Sequence, residues 1–173
     1  KLLGGPQAGL IVGRKNLIDK IKKNPMKRAM RLDQVRIAAT YTTLQLYQNP
    51  DKAASRIPTL RLLTRTVDEI KKTAQLVQEN ITVKFDGGFS IKQIECLSQI
   101  GSGSLPMDRL PSVGLSISPI NEKSGRKLKR CSESFRALPI PVIGRIQDDA
   151  FILDLRCLDD VDGFLAQLSE LKI

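Results

Sequence analysis

The residues best suited to chemistry stand at the beginning of the sequence, where a lysine precedes a glycine-rich turn. Lys1 is followed by two leucines and then by Gly4, Gly5 and Pro6. Glycines let the backbone bend sharply and let another group approach it closely. A lysine amine in such a place could form a Schiff base with the aldehyde of pyridoxal phosphate and carry a proton. By position alone, however, Lys1 is more simply a terminal residue without a role.

Two arginines form a second candidate site. Asn24 and Pro25 are a typical helix start, with an Asn cap and proline at the first helical position. Arg28 and Arg31 follow at i and i+3, so on one helical turn their guanidinium groups could converge on one anion. Guanidinium gives a bidentate fit to phosphate-like oxygens. Without further support, a pair of idle surface arginines is the simpler explanation of the pattern.

Other functional sites have weaker support. The segment Gly101-Ser102-Gly103-Ser104 resembles a phosphate-binding loop in composition, but no Walker lysine follows it. The chain has three cysteines without metal-ligand spacing and no histidine, which argues against a metal site and favours a reducing cytoplasm. No apolar run approaches the roughly 18 residues needed to span a bilayer, so we expect no membrane partner. The pair formed by Asp154 and Arg156 is expected to be a surface or hairpin ion pair.

The net charge of +10 is unevenly distributed along the chain. Residues 14–36 hold nine basic and two acidic side chains, and residues 122–136 hold six basic and two acidic ones. Residues 147–173 are instead acidic, with seven acidic and two basic side chains. Such segregation indicates a polyanion as partner, either phosphate groups or RNA, although a solvated basic face would look the same.

Hydrophobic periodicity predicts a chain that mixes helices and strands. Thr66 and Glu69 fit a capping box that opens a helix, and residues 32–47 form a helix with an apolar stripe wide enough to pack on two sides. Residues 56–63 are expected to be a connector. The other predicted helices cover residues 16–23, 122–138 and 160–171, the predicted strands cover 8–12, 81–85, 89–94, 113–117, 142–146 and 151–155, and hairpin turns are expected at 86–88 and 147–149.

This order of elements predicts an α/β and α+β fold in two parts. A boundary near Thr66 separates residues 1–65, the tail of a larger α/β domain, from residues 66–173. The second part is expected to be a small α+β domain with a mainly antiparallel sheet flanked by helices.

Six segments of the chain resemble one enzyme family. The first is Lys1-Leu2-Leu3-Gly4-Gly5-Pro6-Gln7-Ala8-Gly9, and the others cover residues 24–33, 58–65, 96–106, 139–145 and 153–158. In this order they resemble the bacterial selenocysteine synthases, the L-seryl-tRNA(Sec) selenium transferases, which are fold-type I pyridoxal-phosphate enzymes. The matches extend over nearly the whole chain, and they identify it as a C-terminal piece of such an enzyme.

The resemblance implies a function for both candidate sites. Lys1 would be the Schiff-base and proton-transfer lysine that binds pyridoxal phosphate, and Arg28 and Arg31 would bind selenophosphate. The whole enzyme would convert seryl-tRNA(Sec) to selenocysteyl-tRNA(Sec) as a dimer or larger homo-oligomer. In this family the cradle for the cofactor ring and phosphate and the tRNA-recognition domain precede the lysine. We therefore expect the isolated fragment to be inactive and to hold the cofactor poorly.

Two other functions remain open from the residues alone. One is a small basic domain that binds nucleic acid or a protein, although the chain has no tryptophan and only 4% aromatic residues for base stacking. The other is a related pyridoxal-phosphate enzyme with a different substrate, because a fold does not determine the chemistry.

Overall fold

The chain divides into two compact units, Lys1–Thr64 and Arg65–Ile173. A computed structural model describes residues 2–85, 87–100, 109–120 and 125–173. Helices are combined with one antiparallel sheet, so the predicted mixed class is confirmed. No helix among the described residues has the length and apolar character to cross a membrane.

The described residues of the first unit form helices joined by short turns. Asp33 caps α2 by accepting a hydrogen bond from the Arg36 backbone at 2.8 Å, and Asn49 caps α3 by accepting one from the Lys52 backbone at 3.3 Å. The helices are α1 (Lys15–Lys23), a 3-10 turn (Pro25–Arg28), α2 (Gln34–Leu46), α3 (Pro50–Arg56) and α4 (Pro58–Thr64).

The strand and the connector that were predicted in this unit are both wrong. Residues 8–12 form no strand, and Val12 is 92% exposed. A strand needs a partner for its backbone groups, and the described part of this unit contains no other strand. The expected connector over residues 56–63 is mostly helical, because Pro50 and Pro58 each stand at a first helical position, where proline favours a helix.

The apolar stripe of α2 is not packed on two sides as predicted. Thr40 is its only buried residue, while Val35 is 78% exposed and Tyr41 is 62% exposed. The helix forms at the expected place, but most of its apolar side chains lie open on this chain.

The second unit is built on a four-stranded antiparallel sheet with the strand order β1-β2-β4-β3. The register places Ile91 opposite Ile117 and Ile117 opposite Phe151, so apolar side chains of three strands share one face. The strands are β1 (Phe89–Gln99), β2 (Arg109–Pro119), β3 (Arg145–Gln147) and β4 (Ala150–Asp154).

The predicted capping box begins the helix α5 (Val67–Thr82) and is confirmed. The Thr66 hydroxyl accepts from the Glu69 backbone, and the Glu69 carboxylate accepts from the Thr66 backbone at 2.8 Å. The hydrogen bonds from Thr66 lower the pKa of the Glu69 carboxyl. The strand predicted over residues 81–85 is wrong, because Ile81 continues the buried helical stripe that begins at Ile70.

Helices α5, α6 (Gly125–Arg136) and α7 (Val161–Gln167) pack against the apolar side chains of the sheet. Phe135 lies between Phe85 and Phe151, with ring centroids 6.4 and 5.4 Å away. The largest fully buried side chains of this core are Phe135, Phe151, Ile70, Ile81, Leu115, Ile117, Leu168 and Val77.

The hairpin turn predicted at residues 147–149 is confirmed. Gln147 pairs with Ala150, and Asp148 and Asp149 have φ values of 51° and 57°, as a two-residue turn with left-handed backbone requires. The strand predicted over residues 142–146 begins only at Arg145. Gly87 and Gly88 connect α5 to β1, so the other predicted hairpin is wrong, and Asp86 lies outside the described residues.

Candidate active site

The backbone that follows Lys1 is held tightly against two helices of the first unit. Gly4 has a φ of 80°, and a Cβ on it would lie 2.5 Å from Ile57 Cγ2. A Cβ on Gly5 would lie 2.7 Å from Thr43 Oγ1. The Tyr47 hydroxyl donates to the Leu3 carbonyl at 2.8 Å. Lys1 itself lies outside the described residues, but the segment to which it is attached is fixed in place.

Replacing Gly4 with alanine should destabilise the first unit by about 1–3 kcal/mol, because the new methyl group meets Ile57 and the backbone is left-handed. Gly9→Ala is the matched control, since a Cβ there meets nothing within 4 Å. Both tyrosines of the chain, Tyr41 and Tyr47, lie in this unit, and the chain has no tryptophan. Urea unfolding followed by tyrosine fluorescence therefore reports on this unit; equal free energies of unfolding for the two variants would contradict the packing.

The two candidate arginines do not share a helical turn, so that prediction is wrong. The Asn24 side chain accepts from the Met26 backbone at 2.9 Å and caps only a single 3-10 turn. Arg28 is the last residue of this turn, and Arg31 lies beyond it in the segment that leads to the Asp33 cap. The short turn ends because the next helix already has its own start signal.

Both arginines are exposed to solvent. Among the described residues, no carboxylate forms an ion pair with Arg28 or Arg31, whereas nearby Arg36 is 3.4 Å from Asp33. Their charges are therefore available to an external anion. No hydrogen bond or ion pair in the described part of the chain joins them to residues 2–5.

None of the three cysteines is suited to act as a nucleophile. Burial raises the pKa of the Cys131 thiol to about 12. Burial and the Asp154 carboxylate also raise the pKa of Cys96 and of Cys157. A thiol that stays protonated is a poor nucleophile. Within the described residues, no group of three or more His, Cys, Asp or Glu side chains could hold a metal ion.

The second unit contains a polar network at the strand ends. Ser98 on β1 and Ser112 on β2 donate to the two carboxylate oxygens of Asp154 on β4 at 2.6 and 2.8 Å. Arg156 is 4% exposed, and its guanidinium donates to the carbonyls of Pro111 and Arg65. Of the two predicted settings, a surface or a hairpin ion pair, the surface one is wrong, because Arg156 is buried within the fold.

Arg65, which is half-buried, is a second connection that the sequence did not reveal. Its guanidinium reaches the 3-10 turn after β4 and also α5, so it joins segments that are about 90 residues apart. Its position just before the Thr66 cap was the only available signal. Arg65 donates to the carbonyls of Leu155, Arg156 and Leu158 at 3.1, 2.9 and 2.9 Å and to the Thr73 hydroxyl at 3.0 Å.

The glycine- and serine-containing loop at residues 101–104 lies outside the described residues. Phosphate binding there stays a sequence hypothesis.

Comparison with known proteins identifies the family. The family model described as L-seryl-tRNA selenium transferase matches residues 1–159. An L-seryl-tRNA(Sec) selenium transferase of Methylocella silvestris is 49% identical over 171 residues, which are 99% of this chain and 36% of that protein. Proteins of the same name from Escherichia coli O139:H28 and Shigella boydii serotype 18 are each 48% identical over 97% of this chain and 36% of their own length.

The chain thus spans about a third of the length of these curated relatives. The family model covers far more than half of the chain, including both the lysine segment and the arginine segment. The chain therefore belongs to the L-seryl-tRNA selenium transferase family.

Proposed function

We propose that this chain is the part of an L-seryl-tRNA(Sec) selenium transferase that carries the cofactor lysine and the selenium-donor arginines. The match of the family over residues 1–159 is the observation that supports this most strongly, because it includes Lys1, Arg28 and Arg31. The whole enzyme would replace the hydroxyl of the seryl group on tRNA(Sec) with selenium from selenophosphate. Because its substrate is a charged tRNA, the reaction would take place in the cytoplasm.

The residue types fit pyridoxal phosphate. When bound, this cofactor supplies an electron sink for the α-carbon of an amino acid. Lys1 provides the primary amine that can hold the cofactor aldehyde, and its Nζ can move the proton at the substrate α-carbon. The fixed backbone at Gly4 and Gly5 supports this role, because a firmly attached lysine loses less conformational entropy when it engages a partner.

Arg28 and Arg31 would bind the selenophosphate anion. Two exposed guanidinium groups without a carboxylate partner among the described residues suit a small, doubly charged oxyanion. They belong to a segment with nine basic and two acidic residues between positions 14 and 36, which raises the local anion concentration. Since they leave the backbone from two different segments, each would approach the anion separately.

The domain assignment belongs to the same proposal. Residues 1–65 would be the tail of the large domain of a fold-type I enzyme, and residues 66–173 its small C-terminal domain. The exposed apolar side chains of α2 support this, since the remainder of a large domain or another subunit of a homo-oligomer would cover them. The fragment alone would be inactive, and no observation on this chain favours a free-standing basic binding domain.

The proposal is tested with the longer enzyme that contains this chain. Purified with pyridoxal phosphate, it should transfer radiolabelled selenium from selenophosphate to seryl-tRNA(Sec), while residues 1–173 alone should transfer none. The label is measured in the aminoacyl product released from the tRNA. Turnover of a free amino acid without transfer to the tRNA would instead identify a related enzyme with another substrate.

A further inference from the structure

Helix α6 carries a basic face that neither the lysine segment nor the arginine segment explains. One side of the helix is buried through Leu128, Cys131, Ser132 and Phe135. The rest of its surface is strongly cationic, and its one exposed acidic residue, Glu133, lies 3.9 Å from Lys129. The α6 basic face consists of the exposed residues Arg126, Lys127, Lys129, Arg130 and Arg136.

This concentration of positive charge does not stabilise helix α6. Arg126 and Arg130 are one helical turn apart, where like charges repel each other. The first turn of α6 contains no acidic residue, so its cations also face the positive end of the helix dipole. Helix α5 instead carries both signs, with Asp68, Glu69 and Glu79 against Lys71 and Lys72. The repulsion between Arg126 and Arg130 and the position of Arg126 in the first turn indicate a ligand that compensates for their charges.

A shallow pocket extends the basic face toward the start of β1. Lys84, Lys127 and Arg130 line it, and Phe85 and Phe89 lie beneath them. Asp154, Asp159 and Asp160 line a different pocket of the same unit, so acidic and basic groups are separated there. The α6 basic face and Lys84 thus form one continuous cationic surface.

We propose that this surface binds the phosphate backbone of the substrate tRNA, an inference that rests on the proposed function. All five phenylalanines of the chain pack in or against the core of the second unit, and both tyrosines belong to the first unit. Apart from the pocket lined by Phe85 and Phe89, the surface therefore offers cations and no described aromatic ring for base stacking. Such a surface contacts phosphates, positions the nucleic acid and does not distinguish bases.

The test compares two charge-matched triple variants of the longer enzyme. R126Q/R130Q/R136Q removes three cations of the basic face, and K71Q/K72Q/K92Q removes three exposed cations elsewhere in the same unit. Binding of a fluorescent tRNA(Sec) transcript is measured by anisotropy over a series of KCl concentrations. At physiological salt the first variant should bind the tRNA at least about tenfold more weakly than the parent enzyme. The slope of log affinity against log KCl concentration should be smaller by about 2–3. The second variant should bind nearly as the parent enzyme does.

Further variants and measurements distinguish loss of phosphate binding from misfolding and from a general effect of net charge. R126K/R130K/R136K keeps the charges and should bind tRNA as the parent does, while unchanged thermal unfolding of each variant excludes misfolding. Equal losses in the two glutamine variants would reduce the effect to net charge and overturn the proposal. Loss of binding to phosphatidylserine vesicles with intact tRNA binding would also overturn it. Selenium transfer by the parent enzyme tests the proposed function separately from this comparison.

Discussion

Replacing Lys1 with alanine in the longer enzyme should lower the rate of selenium transfer by about 10³-fold or more. The amine is expected to hold the cofactor aldehyde and to move the α-proton, and loss of general acid–base catalysis alone costs roughly 10²–10⁴-fold. The arginine variant Lys1→Arg should be equally inactive, because a guanidinium keeps the charge but neither forms a Schiff base nor gives up its proton. Transfer of radiolabelled selenium measures the effect.

Chemical trapping identifies the lysine independently of activity. Borohydride reduction of the parent enzyme should attach the cofactor to the peptide that contains Lys1, as detected by mass spectrometry. Lys15→Ala is the control, since Lys15 is an exposed lysine at the start of α1. It should leave both the trapped peptide and the transfer rate unchanged. A cofactor label on any other lysine would refute the assignment of Lys1.

Elements with strong local signals could be predicted from the sequence. The capping box of Thr66 and Glu69 and the turn at Asp148 and Asp149 both depend on residues close together in the chain. Each local signal satisfies backbone groups that would otherwise lack a partner. These caps and turns therefore form largely independently of the rest of the fold.

The wrong secondary-structure predictions concern segments whose structure depends on contacts with distant parts of the chain. An apolar run such as residues 8–12 can be a strand only if another strand lies beside it, and the described part of the first unit has none. Residues 81–85 have the composition of a strand, yet Ile81 completes a helical stripe that packs on the sheet. Periodicity cannot distinguish such short apolar runs, because a helix turn and a strand both bury them.

The candidate sites, too, were predictable in some features and not in others. The lysine and arginine segments could be found in the sequence because they resemble a family, and the close packing of Gly4 and Gly5 gives the glycines a physical reason. That Arg28 and Arg31 do not share one helical turn could not be predicted, since it required knowing where the 3-10 turn ends. The hydrogen bonds of Arg65 and Arg156 join distant segments, and beyond the position of Arg65 before the Thr66 cap they had no local signal.

Replacing both Arg28 and Arg31 with alanine should raise the KM for selenophosphate by about 100-fold or more. A hydrogen bond to a charged group contributes about 1.5–3 kcal/mol, which is roughly tenfold or more in affinity for each arginine. Each single variant should show part of the effect, because the two side chains leave the backbone from separate segments. The KM for seryl-tRNA(Sec) should change little, since the anion and not the tRNA loses its contacts.

A charge-matched control separates specific binding from general attraction. Lys22→Ala/Lys23→Ala removes two exposed cations at the end of α1, within the same basic segment. If Arg28 and Arg31 bind the donor, the lysine variant should raise the KM for selenophosphate far less than the arginine variant does. Arg28→Lys/Arg31→Lys should recover only part of the affinity, because lysine keeps the charge but loses the bidentate geometry. An equal rise in the KM of both substrates would instead show that these arginines support the fold or attract anions in general.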